Sequence, residues 1–214
     1  METSVLIRHL EGLQDYESCW QGMKQFTDLR TPDTEDEIWV TEHSPVFTQG
    51  QNGKPEHVLD AGTIPIIKTD RGGQVTYHGP GQIMLYTLID VKRKKWHVRQ
   101  LVSHLENAVL QFLAARNIQA EARCDAPGIY VNNKKLASVG LRIRRGAAYH
   151  GLAVNLAMDL APFSRINPCG LTGMQMTQLK DLDPSLSFND AKTQLIEYLV
   201  TNLGYTTCNQ AHPF

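Results

Sequence analysis

Gly128-Ile129-Tyr130-Val131-Asn132-Asn133-Lys134-Lys135-Leu136-Ala137-Ser138-Val139-Gly140-Leu141-Arg142-Ile143-Arg144-Arg145-Gly146-Ala147-Ala148-Tyr149-His150-Gly151-Leu152-Ala153-Val154-Asn155-Leu156 reads as three strand-like runs in succession: Gly128 to Val131, Leu136 to Arg145 and Ala147 to Leu156. Asn132-Asn133 and Arg145-Gly146 fall between them, and such pairs tolerate the positive φ that a tight turn between antiparallel strands requires. Upstream, Leu101, Leu105, Ala108, Val109 and Phe112 place one apolar face on a helix from Val98 to about Arg116. Ile64 to Lys68 and Ile83 to Val91 are strand candidates on either side of a glycine-rich loop, and Val5 to Leu10 and Glu37 to Thr41 are two more. Tyr16, Trp20, Met23 and Phe26 recur at helical spacing, and Leu186 to Leu203 forms a last amphipathic helix. Strands in groups interrupted by helices, without regular alternation, predict an α+β fold, and 214 residues predict one domain, 1–214.

A hydrophobic content of 42% with 20% charged residues is ordinary for a globular chain. No apolar run approaches the roughly 20 residues that cross a bilayer, and the first residues do not read as a secretory signal, so a cytoplasmic, membrane-free protein is expected. A formal net charge of −1 argues against nucleic-acid binding. Positive charge is nevertheless clustered: Lys92, Arg93, Lys94, Lys95 and Arg99 form one window, and Lys134, Lys135, Arg142, Arg144 and Arg145 another. Such windows are either solvated faces or docking patches for an acidic macromolecule. Cys19, Cys124, Cys169 and Cys208 include no CxxC pair, and no histidine pair has ligand spacing, so no metal site is expected.

Two segments can carry chemistry. Arg71-Gly72-Gly73-Gln74-Val75-Thr76-Tyr77-His78-Gly79-Pro80-Gly81-Gln82 joins two strand candidates, and its glycines allow the backbone to approach a ligand closely. It matches no nucleotide-binding fingerprint. In Asn167-Pro168-Cys169-Gly170, proline restricts Asn167 and glycine frees the next position, a turn suited to holding a thiol rigidly. A helix beginning near Leu171 would place that thiol at a helix N-terminus and favour the thiolate. Activation needs a base or a cation: His43, His78 and His150 are candidate bases, and Lys134 or Lys135 a candidate cation. The segment Ser44 to Leu59 reads as a long loop, a candidate wall or lid. Cys19, Cys124 and Cys208 read as structural.

The segment Arg71 to Tyr86 resembles the signature of the octanoyltransferases of protein lipoylation, the lipoate-protein ligase B family. Ala126 to Val131, Lys134 to Gly140, His150 to Asn155 and Asn167 to Gly170 are similar to that family's further blocks, in family order. The resemblance implies a mixed sheet flanked by helices, shared with biotin and lipoate protein ligases. It implies transfer of an octanoyl group from octanoyl-acyl carrier protein to a lysine of a lipoyl domain, with no cofactor. The acceptors would be lipoyl domains of 2-oxoacid dehydrogenase E2 subunits and the glycine cleavage H protein.

By the same resemblance Cys169 is the acyl-thioester nucleophile and Lys135 the residue that activates it. Arg71, Gly72, Gly73, Gln74, Val75, Thr76, Tyr77 and His78, with Ser138, Val139, Gly140, Gly151, Leu152 and Ala153, line the acyl pocket. Backbone N–H groups at Gly72, Gly151 or Cys169 are expected to hold the oxyanion. Because acyl carrier proteins are acidic, Arg142, Arg144 and Arg145 are the expected docking contacts. The alternative is an ATP-dependent lipoate or biotin ligase on the same fold, which needs no cysteine nucleophile.

Overall fold

Asn132 and Asn133 take φ 48° and 64°, and Arg145 and Gly146 take φ 53° and 84°, so both turn signals are the left-handed corners of antiparallel hairpins. These angles come from a computed structural model, which describes residues 4–211 apart from the side chain of Cys169. In chain order the elements are β1 (Ser4–Gln14), α1 (Tyr16–Leu29), β2 (Glu37–His43), β3 (Val46–Gln49), β4 (Ile66–Lys68), β5 (Val75–His78) and β6 (Gln82–Asp90). There follow α2 (Val98–Ala114), β7 (Glu121–Ala122), β8 (Gly128–Val131), β9 (Lys134–Arg144), β10 (Ala147–Asn155), α3 (Leu179–Leu182), α4 (Phe188–Asn202) and β11 (Thr207–Gln210).

Eight strands form one sheet in the order β11-β1-β2-β6-β10-β9-β8-β7. The β11/β1 and β1/β2 pairs are parallel and the rest antiparallel, so the sheet is mixed, as an α+β fold allows. Period-2 alternation divides its residues between two faces. Ile83, Leu85 and Ile89 of β6, with Leu152 and Val154 of β10, pack on α2 and α4. Met84, Tyr86 and Leu88, with Ala153, face Cys19 and Met23 of α1. Asp15 caps α1 by accepting the Ser18 N–H at 2.8 Å.

Three expectations change. A second sheet, β4-β3-β5, joins the expected strand at Ile66–Lys68 to two strands, β3 and β5, in segments read as loops. Its members have three or four residues and are flanked by glycine and proline, too short for a period to show. The edge strands β7 and β11 are likewise short and exposed. No α-helix begins near Leu171: a 3₁₀ turn, Pro168–Gly170, leads into extended backbone at Leu171, and α3 starts at Leu179. Gly170 and Gly173, at φ 74° and 78°, interrupt the helix the composition suggests. The helix-dipole argument for Cys169 therefore falls.

Asp36, 2% exposed, ties the layers together. It pairs with Arg30 at the end of α1 and with Arg93 at 2.7 Å. It also accepts the Asp90 N–H at 2.8 Å and the Tyr205 hydroxyl at 2.6 Å. Asp36→Ala strands two guanidinium groups and should lower the unfolding free energy by about 3–5 kcal/mol, read as a fall in the urea midpoint.

Candidate functional site

On the α1 side of the large sheet two rows of side chains run across three strands. Met84 lies opposite Ala153 and Ala153 opposite Ser138; Tyr86 lies opposite Gly151 and Gly151 opposite Gly140. Opposed residues share a face. Small residues on β9 and β10 thus form a trough, with large ones on β6 at its end. A cavity of about 480 Å³ occupies the trough, within the usual range for a small-molecule site. Arg71, Gly72, Gly73, Gln74, Val75, Thr76 and His78 line it with Lys135, Ser138, Val139, Gly140, Gly151 and Ala153.

Two expected lining residues lie elsewhere, for the same period-2 reason. Tyr77 packs against Phe47 and Phe163, and Leu152 faces the helix-side core. Tyr16, Met84, Val98 and Val102 line the cavity without having been expected there. Met84 was legible in principle, since it alternates with Tyr86 on β6. Tyr16, Val98 and Val102 look like ordinary helix positions until the helices are placed.

Lys135 reaches the cavity through a bulge. The register of β8 on β9 steps from Ile129↔Ala137 to Tyr130↔Lys135, leaving Leu136 unpaired. The extra residue turns Lys135 onto the face of Ser138, where unbroken alternation would direct it into the helix-side core. Its side chain is 1% exposed, and Nζ donates to the Pro127 carbonyl at 3.0 Å. Gly128 makes room for it: a Cβ there would sit 2.7 Å from Lys135 Cε and 2.2 Å from the Ala137 carbonyl oxygen.

The backbone of Lys135 also holds the segment after Cys169. Its N–H donates to Gln175 O at 2.8 Å, and its carbonyl accepts from Thr177 N at 3.0 Å. The Pro168–Gly170 turn is anchored from the other side by the Asn167 N–H, which donates to His57 O at 2.8 Å. A Cβ at Gly170 would lie 3.5 Å from Gln74 Cδ, so the turn abuts a cavity-lining residue. The Cys169 side chain itself lies outside the described residues.

Arg71 is buried and folded back on its own loop, with Nη2 donating to Thr48 O and Oγ1 at 2.6 and 2.8 Å and Nη1 to Gly72 O at 2.9 Å. It anchors the loop over the cavity. The Gly72 N–H donates to Leu141 O at 2.9 Å, so it is already spent and is not the oxyanion donor expected of it. The docking arginines are also engaged: Arg144 pairs with Asp28 of α1 at 2.7 Å and Arg145 stands 3.9 Å from the same carboxylate. Arg142 extends from β9 on the same face.

The three candidate bases belong to the framework. His43 Nδ1 donates to Gln14 O at 2.9 Å and Nε2 accepts from the Tyr86 hydroxyl at 2.6 Å. His78 Nδ1 is 2.7 Å from Gln82 Oε1 and Nε2 3.3 Å from Thr48 Oγ1. His150 Nε2 is 3.0 Å from Asp70, a carboxylate that also accepts from Trp20 and Tyr149. Burial draws the His43 pKa down to about 4 and holds His78 well below its ordinary value. Burial also lowers His150, although Asp70 opposes it.

Between pH 6.5 and about 4 the unfolded chain takes up protons that buried His43 refuses, so stability falls as pH drops through that window. Urea unfolding should show a loss of about 3 kcal/mol from His43 alone between pH 7 and pH 4. His43→Gln should flatten that slope.

A family profile for the lipoyl protein ligase A/B catalytic domain matches residues 15–200. The chain is 58% identical over 205 residues to an octanoyltransferase of Vibrio cholerae serotype O1 (strain ATCC 39541 / Classical Ogawa 395 / O395), spanning 96% of this chain and 94% of the relative. It is 57% identical to an octanoyltransferase of Shewanella sp. (strain W3-18-1), spanning 95% and 94%. Among solved structures, a lipoate-protein ligase A bound with ATP superposes with a TM-score of 0.79 at 15% identity, covering 99% of this chain and 90% of that one. A biotin protein ligase from Aquifex aeolicus, in complex with biotin and ATP, gives 0.54 at 11%, covering 95% and 71%. These two likenesses speak to the fold alone. No helix among the described residues is long and apolar enough to cross a membrane. The chain belongs to the octanoyltransferase family, acyltransferases of protein lipoylation built on the lipoyl protein ligase A/B catalytic domain.

Proposed function

We propose that this single catalytic domain moves an octanoyl group from octanoyl-acyl carrier protein to a lysine of a lipoyl domain, through a thioester on Cys169. The observation that carries the reading is the lysine ammonium buried in the cavity wall, beside the segment that follows the Cys169 turn. An ammonium in such a site is an effective counter-charge for a thiolate.

In the first half-reaction the Cys169 thiolate attacks the donor thioester carbon and the carrier's phosphopantetheine thiol departs. Lys135 stabilises the attacking thiolate and supplies the proton to the departing sulfur. In the second, the acceptor lysine, as a free amine, attacks the Cys169 thioester. Its N–H proton passes to the neutral Lys135 amine, the amide forms, and Cys169 departs as the thiolate, restoring the thiolate–ammonium pair with which the cycle began. One thioester is exchanged for another and then for a more stable amide, so no nucleotide is needed. Lipoyl domains of 2-oxoacid dehydrogenase E2 subunits and the glycine cleavage H protein are the proposed acceptors, and the cytoplasm the proposed setting.

Incubation with octanoyl-acyl carrier protein without ATP should add one octanoyl mass to the Cys169 peptide, and a lipoyl domain should discharge it onto lysine. Cys169→Ala should abolish the label, and Lys135→Met should slow its formation about 10²–10⁴-fold. A nucleotide-dependent ligase would show no such label.

A further inference from the structure

The cavity has a graded floor and a hard end. Its exposed rim includes Asn52, Val98 and Asp125, whereas Tyr16, Met84 and Tyr86 at its other end are 3%, 4% and 1% exposed. From Lys135 on β9, the floor crosses Ser138 and Ala153 before it meets Met84 on β6. Two strand spacings separate β9 from β6, roughly 9–10 Å. An extended eight-carbon chain built from C–C bonds of about 1.5 Å is about 9 Å long, comparable to the width of this floor from Ser138 to Met84.

The end wall does not yield. Tyr86 is fixed by its hydroxyl bond to His43, which is itself bonded to the Gln14 backbone. Tyr16 stacks on His78, with ring centroids 5.5 Å apart and planes 7° from parallel. His78 is held in turn by Gln82. Moving either tyrosine breaks buried hydrogen bonds or stacking, which a ninth and tenth methylene cannot offset by burial alone.

We propose that Met84 and Tyr86, backed by Tyr16, are the stop that sets acyl-chain length, and that Ala153 gauges the passage toward it. This rests on the acyl-transfer reading above, with the carbonyl end at Lys135 and the methyl end at β6. Met84→Ala lengthens the trough; Ala153→Leu shortens it. Because one methylene shifts selectivity by roughly 10-fold or more in a fitted apolar pocket, the optimum should move in opposite directions in the two variants.

The test loads acyl carrier protein with hexanoyl, octanoyl, decanoyl and dodecanoyl chains and measures the rate of acyl-enzyme formation in wild type and both variants, each checked for folding by thermal melt. The proposal expects the decanoyl-to-octanoyl ratio to rise about 10-fold or more in Met84→Ala, and the hexanoyl-to-octanoyl ratio to rise similarly in Ala153→Leu. If one variant fails to fold, the other carries the test. A chain-length ratio unchanged from wild type in a folded variant overturns the proposal. Absence of acyl-enzyme in wild type with every chain would instead overturn the transfer reading beneath it.

Discussion

A lysine ammonium inside a protein is costly unless its surroundings are arranged for it. Lys135 is nearly inaccessible, and the arrangement around it organises this end of the molecule. Pro127 turns its carbonyl toward Nζ, Gly128 leaves out the Cβ that would collide with the lysine stem, and Glu106 of α2 accepts the Gly128 N–H at 3.1 Å. Burial raises the Glu106 pKa, while the Gly128 bond and the Lys135 charge oppose the rise. The bulge at Leu136 sets the side on which all this happens. Without it, the cation would point toward the helices.

The same strand couples the cation to the rest of the cavity. The Asn155 side chain donates to Thr177 O at 3.0 Å and accepts from Gln82 at 2.9 Å, and Gln82 holds His78. Thr177 in turn donates its N–H to Lys135 O. A continuous buried network thus joins the inner end of the cavity to the lysine and the segment that follows Cys169. Buried polar groups so completely paired favour one geometry over its neighbours, which suits a site in which a thiol, an ammonium and an acyl chain must coincide.

The architecture was legible where periods were long. The helix from Val98 and the strands from Ile83 and Ala147 carry enough residues for alternation or helical spacing to show, and the two hairpin corners announce themselves through Asn132-Asn133 and Arg145-Gly146. Much of the cavity wall was legible only through motif resemblance, because Gly140, Gly151 and Ala153 are too small to signal a function singly. The bulge was not legible at all. Reading β9 from Leu136 leaves Lys135 in the turn, and only the register against β8 reveals it as a strand residue aimed at the site. The apparent helix at Leu171 failed because two glycines with positive φ outweigh local composition there.

The central claim is that Lys135 governs the reactivity of Cys169, and alkylation tests it without any acyl donor. Iodoacetamide labelling at neutral pH can be followed peptide by peptide, with exposed Cys124 and Cys208 as internal references and buried Cys19 as the unreactive one. The account predicts that Lys135→Met slows labelling of Cys169 about 10-fold or more while leaving Cys124 and Cys208 unchanged. Equal Cys169 labelling rates in a folded Lys135→Met variant and the parent protein would contradict it.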